Sequence, residues 1–90
     1  RESTPRFKVG LGVIPDYLFD GKGMRIDGVS EGRPAQRGGL LKGDIVIQLG
    51  DSLVTNMMSY MRALSVFDEG DTTTVVVQRG KQEITTSLEF

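Results

Sequence analysis

Apolar and polar residues alternate in short runs along this chain, and the runs predict its elements. Phe7-Lys8-Val9 alternates as a short strand does. Gly10-Leu11-Gly12 interrupts it, and Val13-Ile14 resumes an extended apolar run that meets Pro15. Proline has no N–H, so that run belongs on a sheet edge or at a strand end. Phe19-Asp20-Gly21-Lys22-Gly23 is a turn signal. Met24 to Val29 then alternates strictly, as a half-buried strand does. Pro34 suits the first position of a helix, and Gly38-Gly39 limits that helix to one or two turns. Ile45-Val46-Ile47-Gln48-Leu49 is rich in β-branched residues and predicts a buried strand, closed by a Gly50-Asp51 turn.

Asn56 is a good cap for a helix running from Met57 to Ser65 or Val66. Met57, Met61 and Leu64 fall on one face of it, which Tyr60 and Ala63 widen. By themselves these residues read as core as readily as a binding surface, and Tyr60 reads as core or its edge. Asp68-Glu69-Gly70-Asp71 is a solvated turn. Thr73–Gln78 and Glu83–Glu89 are Thr- and Val-rich strands, joined as a hairpin through Arg79-Gly80-Lys81. Antiparallel strands with two inserted helices predict an α+β fold. Its form is a small β-sandwich or partial barrel of five to six strands, capped by one short and one longer helix.

Composition narrows the function. Ninety residues allow one domain. Hydrophobic residues at 38% and charged residues at 26% place the chain with ordinary globular domains rather than disordered ones. The formal net charge of −1 argues against a nucleic-acid binder, which carries a basic face. No apolar run is long enough to span a membrane. The chain has no Cys and no His. This removes Cys and His nucleophiles, His bases, Ser-His-Asp triads and the common zinc ligand sets. It also leaves no disulfide from which to read a redox compartment. The Asp68–Asp71 turn is too poor in ligands for a calcium loop, and Asp44 reads as a turn-stabilising carboxylate rather than an acid catalyst. No cofactor is expected. The chain opens at Arg1 with no initiator Met or signal peptide, which reads as a piece of a longer protein. Residues 1–6 are expected to be a flexible arm or linker, and 7–90 the domain.

Three motifs resemble one family. Gly10-Leu11-Gly12-Val13 resembles the Gly-Leu-Gly-Phe carboxylate-binding loop of PDZ domains. Arg33-Pro34-Ala35-Gln36-Arg37-Gly38-Gly39-Leu40-Leu41-Lys42-Gly43-Asp44-Ile45 resembles the Pro-Ala-x-x-Ala-Gly-Leu-x-x-Gly-Asp-x-Ile segment of bacterial PDZ domains, with Gly38 where Ala is usual. The third match is the final helix, Gly70 turn and two-strand hairpin. The resemblance runs from about Phe7 to Phe90, in the family's order and spacing. Bacterial PDZ domains of this type accompany proteases, among them the HtrA-like and tail-specific enzymes. The run Leu11–Tyr17, followed by Gly28-Val29-Ser30, is most similar to PDZ modules at the C-terminal end of bacterial zinc aminopeptidases. A bacterial extracytoplasmic setting follows from that resemblance.

The resemblance also implies a chemistry. The amides of Leu11, Gly12 and Val13 would bind a peptide carboxylate, as successive N–H groups in a glycine-rich turn bind anions. The peptide would add as an antiparallel strand beside Val13–Tyr17, in a groove formed by Gly10, Ile14, Pro15, Met57, Met61 and Leu64. Leu11, Val13, Met61 and Leu64 would line the pocket for an apolar last residue, and Arg6 or Lys8 would add long-range attraction. Met57 stands where many eukaryotic members carry a His that bonds a ligand hydroxyl, so an apolar preference is expected there. Pro15 departs from the family, because its position donates an N–H to the ligand in other members. The expected partner is therefore a peptide or protein C-terminus, or an internal segment of the parent protein. A structural domain that packs on its own parent is the alternative. The domain itself is expected to be monomeric and non-catalytic.

Overall fold

The computed structural model describes residues 9–90. The expected arm, the charges of Arg6 and Lys8, and the Phe7-Lys8 part of the first expected strand lie outside the described residues. Val9 is described and is not in a strand.

Six strands and two helices follow in the order β1 (Val13–Pro15), β2 (Met24–Val29), α1 (Pro34–Arg37), β3 (Ile45–Leu49), β4 (Ser52–Leu53), α2 (Met57–Leu64), β5 (Thr72–Arg79) and β6 (Gln82–Glu89). All pairings are antiparallel, in the sheet order β1-β2-β3-β5-β6, with β4 attached to β3. The short strand β4 was not anticipated. Two exposed residues carry no alternation to read, and only their pairing with Gln48 and Leu49 makes them a strand.

The core draws on almost every element. Met24 and Ile26 of β2, Val46 and Leu49 of β3, Val75 and Val77 of β5, and Leu88 of β6 meet Ala35 and Leu40 around α1 and Tyr60, Ala63 and Leu64 of α2. Val46 and Leu49 are three residues apart, yet both point inward. A bulge explains this: Ile47 is an extra residue in β3 against β5, and it resets the alternation.

Helix α2 is closed by a reciprocal cap. The Ser59 N–H donates to Asn56 Oδ1 at 2.9 Å, and the Asn56 N–H donates to Ser59 Oγ at 3.0 Å. Its buried face is Tyr60, Ala63 and Leu64, with Met57 half-buried beside them, whereas Met61 is 42% exposed. The apolar stripe is thus rotated away from Met61 relative to the sequence expectation.

Gly38 stands where the family segment has Ala, and the packing explains the change. A Cβ there would lie 2.6 Å from Leu88 Cδ2 and 3.0 Å from the Ser87 carbonyl oxygen. Helix α1 therefore seats more closely on β6 than an alanine allows.

Candidate functional site

The expected carboxylate loop leads into β1 and is held by its carbonyls. The Ala35 N–H donates to the Leu11 carbonyl at 2.9 Å, and the Ser30 N–H donates to the Gly12 carbonyl at 2.8 Å. Both carbonyls thus point back into the domain, toward α1 and β2. Gly12 has φ +79°, and a Cβ on it would fall 2.2 Å from Arg33 Cβ. Glycine is required there twice, once by the left-handed backbone and once by the arginine lying over it.

Among the described residues β1 ends the sheet, and one of its sides has no strand partner there. In an antiparallel pair, alternate residues turn their N–H and C=O toward the neighbour and away from it. Gly12 faces β2 through its carbonyl, and Asp16 faces it through an N–H donated to Arg25 O at 2.9 Å. Val13 and Pro15 lie between and face outward. The open edge therefore carries the Val13 N–H, and at Pro15 it has no N–H to give. The register also shifts between Ile14 and Pro15, where Asp27 is an extra residue in β2.

The other expected site residues separate into three environments. Leu11 is 1% exposed and belongs to the core, so its side chain is not open to a ligand. Leu64 is likewise buried, while Val13 and Met57 are half-buried against the same core. Ile14 is 57% exposed and lies across Gly28, where its Cδ1 would stand 3.2 Å from an added Cβ. Gly10 and Pro15 are half-buried. Val13 and Met57 are thus the apolar groups best placed between core and solvent, and Met61 is a more exposed neighbour on α2.

Past Pro15, Asp16 anchors the end of the strand. Its carboxylate accepts from Arg25 Nη1 at 2.8 Å and from the Leu18 N–H at 3.0 Å. Tyr17 and Leu18 follow, 75% and 93% exposed. Burial, and then the neighbouring Tyr17 phenol, push the Tyr60 phenol above its ordinary value.

Between α1 and β3, Asp44 is buried. It accepts from Arg79 Nε and Nη2, both at 2.8 Å, and from the Leu41 N–H at 2.9 Å. Burial alone would raise its pKa. The hydrogen bonds from Arg79 and the Leu41 N–H, with the guanidinium charge, outweigh burial and hold it below the ordinary value of 3.8. Arg79 also donates to the Gly39 carbonyl at 3.0 Å. Asp44 is therefore the clamp of the α1–β3 turn, in keeping with its reading as a turn-stabilising carboxylate. Among the described residues, no cluster of three or more acidic side chains could hold a metal ion.

Residues 6–90 match the family model for the PDZ domain. The chain belongs to the PDZ domain family. Among solved structures, it is similar to an aminopeptidase N family protein from Idiomarina loihiensis, with 26% identity and a TM-score of 0.82. That match covers 99% of this chain and 15% of the other. It is also similar to the HtrA-type protease AlgW solved with a decapeptide, with 25% identity and a TM-score of 0.80, over 91% of this chain and 28% of that one. The HtrA3 PDZ domain bound to a phage-derived ligand, FGRWV, shares the PDZ fold. It has 22% identity and a TM-score of 0.65, over 76% of this chain and 59% of that one. The chain spans less than a third of each of the two protease-type structures. No curated protein sequence matches it. The PDZ fold and the likeness to both aminopeptidase-linked and HtrA-linked modules agree with the motif reading. No helix among the described residues is long and apolar enough to cross a membrane.

Proposed function

We propose that this PDZ domain binds the apolar C-terminal or extended segment of a polypeptide, as a strand added to the open edge of β1. The observation that carries this reading is the geometry of that edge. The carbonyls of Leu11 and Gly12 are bonded into the domain, Val13 faces outward from β2, and Val13 and Met57 are both half-buried against the core. The Leu11, Gly12 and Val13 amides would take the carboxylate. Val13, Met57, Met61 and Leu64 would receive the last side chain, with Leu11 closing the pocket from the core. Gly10, Ile14 and Pro15 would border the ligand backbone.

Pro15 withholds one backbone hydrogen bond, which costs roughly 0.5–1.5 kcal/mol of affinity. Binding is therefore weaker than at an edge with a full set of donors, and selectivity rests on apolar burial. Met57 and Met61 are flexible and polarisable, which suits a permissive pocket. In this reading, residues 7–90 are a monomeric module of a longer bacterial extracytoplasmic protein, in which the domain recruits or regulates substrate for a linked peptidase. The peptide-bound HtrA-type structures and the aminopeptidase structure support that setting. The second reading is a domain that packs on its own parent. The exposed Tyr17 and Leu18, beyond a proline that blunts the edge, favour it.

The test is an amide NMR titration. The labelled domain receives pentapeptides ending in Val, Leu, Ile or Phe, including FGRWV, each with a free or an amidated C-terminus. The expected result is saturable shifts at Leu11, Gly12, Val13 and along Met57–Leu64, seen only with free carboxylates. No shifts at millimolar peptide would overturn the reading and leave docking on the parent.

A further inference from the structure

The chain has no cysteine and four methionines, so thioethers are its whole sulfur chemistry. Three of the four stand in the first five positions of α2, as Met57, Met58 and Met61. A helix turns about 100° per residue, which orders these three around one flank. Met57 borders the buried face of Tyr60, Ala63 and Leu64, Met61 comes next, and Met58 lies beyond Met61. Exposure rises in the same order. Met57 is half-buried against the core, Met61 is 42% exposed and Met58 is 68% exposed. The rest of the helix surface is polar, with Ser59 turned back into the cap and Arg62 exposed. The fourth methionine, Met24 of β2, is 2% exposed and belongs to the core.

An accessible thioether reacts with a peroxide by oxygen transfer. The sulfur lone pair attacks the outer oxygen, the O–O bond breaks, and the leaving oxygen takes the proton and departs as water. Sulfur is oxidised by two electrons and the peroxide is reduced by two. The reverse step oxidises two thiols to a disulfide and releases the added oxygen as water. The sulfoxide replaces a flexible apolar side chain with a polar, chiral one. On a wall that works by apolar burial, its oxygen is either stripped of water or holds the ligand away, and both weaken binding.

We propose that Met61 is a reversible oxidation site that takes one oxygen atom from a peroxide, and that its sulfoxide weakens the hold of the groove on apolar peptide ends. The inference rests on the peptide-binding reading above and concerns the regulation of that same site. Met61 alone in the stripe is both open to a small oxidant and next to half-buried Met57. Met58 is more exposed but lies farther round the helix, so its oxidation leaves the groove wall apolar. Met57 reacts more slowly because the core covers part of it, and Met24 is protected while the domain is folded.

The test treats the domain with hydrogen peroxide and follows sulfoxide at each methionine by peptide mass spectrometry. Met58 and Met61 should convert first, Met57 later, and Met24 only on unfolding. Once Met61 is converted, the free-carboxylate pentapeptides should bind about three- to ten-fold more weakly. Both methionine sulfoxide reductases, supplied with a dithiol, should restore the affinity. Met58→Leu should show the same loss on oxidation. Met61→Leu, compared with its own untreated state, should show little. Wild-type affinity that survives conversion of Met61, or a loss in Met61→Leu as large as in wild type, would overturn the assignment while leaving the peptide-binding reading intact. An oxidised domain whose amide spectrum has lost its dispersion would overturn it too, because the effect would then belong to the fold. Absence of binding by the untreated wild type would overturn both.

Discussion

The sheet has two edges, and the domain treats them in opposite ways. At one edge, β6 is eight residues long and α1 lies against it. The Thr86 hydroxyl donates to the Gly38 carbonyl at 3.0 Å, Arg37 reaches the Glu89 carbonyl, and Gly38 lets the helix sit directly on Leu88. At the other edge, β1 is three residues long, ends on a proline, and faces a register shift at Asp27 of β2. Among the described residues no helix bonds to it, and Val13 turns its N–H outward. An unprotected edge strand invites pairing with other chains. Here one edge is sealed by side chains, while the other is shortened and has one donor removed. The difference shows which edge is kept available, and also that this availability is limited.

The comparison breaks most severely at the loop that leads into the open edge. Gly12→Ala forces a side chain into a left-handed backbone and against Arg33 Cβ. We expect a loss of about 3 kcal/mol, combining left-handed strain with overpacking, measured by urea unfolding. Wild-type stability in this variant would show that the loop is not held as described.

Behind the edges, at the turn between α1 and β3, Asp44→Asn keeps the shape but removes the charge that holds Arg79 and that turn. The expected cost is about 2–3 kcal/mol near neutral pH, the size of losing hydrogen bonds to a charged group. The sign of its pH dependence follows from the lowered pKa. The carboxylate's contribution is complete above the unfolded value of 3.8 and is lost as pH falls through the lower folded value. Wild type should therefore lose more stability than Asp44→Asn between about pH 7 and about pH 3. Parallel pH profiles for the two proteins would contradict the clamp.

Thr86→Val unpicks the seal itself. It removes one part-buried hydrogen bond to Gly38, with an expected cost of about 1 kcal/mol in the same assay. Increased amide exchange at Gly38 and Leu40, with the β1 amides unchanged, would place the effect at the sealed edge.

Pro15→Ala sharpens the comparison from the open side. It restores one outward N–H, so free-carboxylate pentapeptides should bind up to about ten-fold more tightly. Stability should change little, and the edge should become more prone to self-association, visible as concentration-dependent sedimentation. Unchanged affinity would mean that ligand strands do not reach as far as Pro15.

Much of this was readable before any coordinates. Met24–Val29 and Ile45–Leu49 were bounded correctly because β-branched and alternating residues mark strands directly. The Asn56 cap and the start of α2 at Met57 were also legible, because capping is chemistry between near neighbours. The inward turn of both Val46 and Leu49 was not, since the bulge at Ile47 exists only against β5. Strand β4 was hidden for the same reason. On α2, a spacing of three and four residues fits Met61 as well as Tyr60. Only the position of β3 and β4 against the helix selects Tyr60 and leaves Met61 outside.

The sequence by itself determined the family, both helices, strands β2 and β3, the glycine loop and the missing donor at Pro15. Each of these is carried by residue type within a few positions along the chain. Tertiary structure alone decided which edge is sealed, why Gly38 replaces alanine, and that Arg33 lies across Gly12. Those facts depend on contacts between segments 20 to 50 residues apart, such as Gly12 with Arg33 and Gly38 with Leu88. No local propensity encodes such a meeting, because it arises only when packing brings the two surfaces within van der Waals reach.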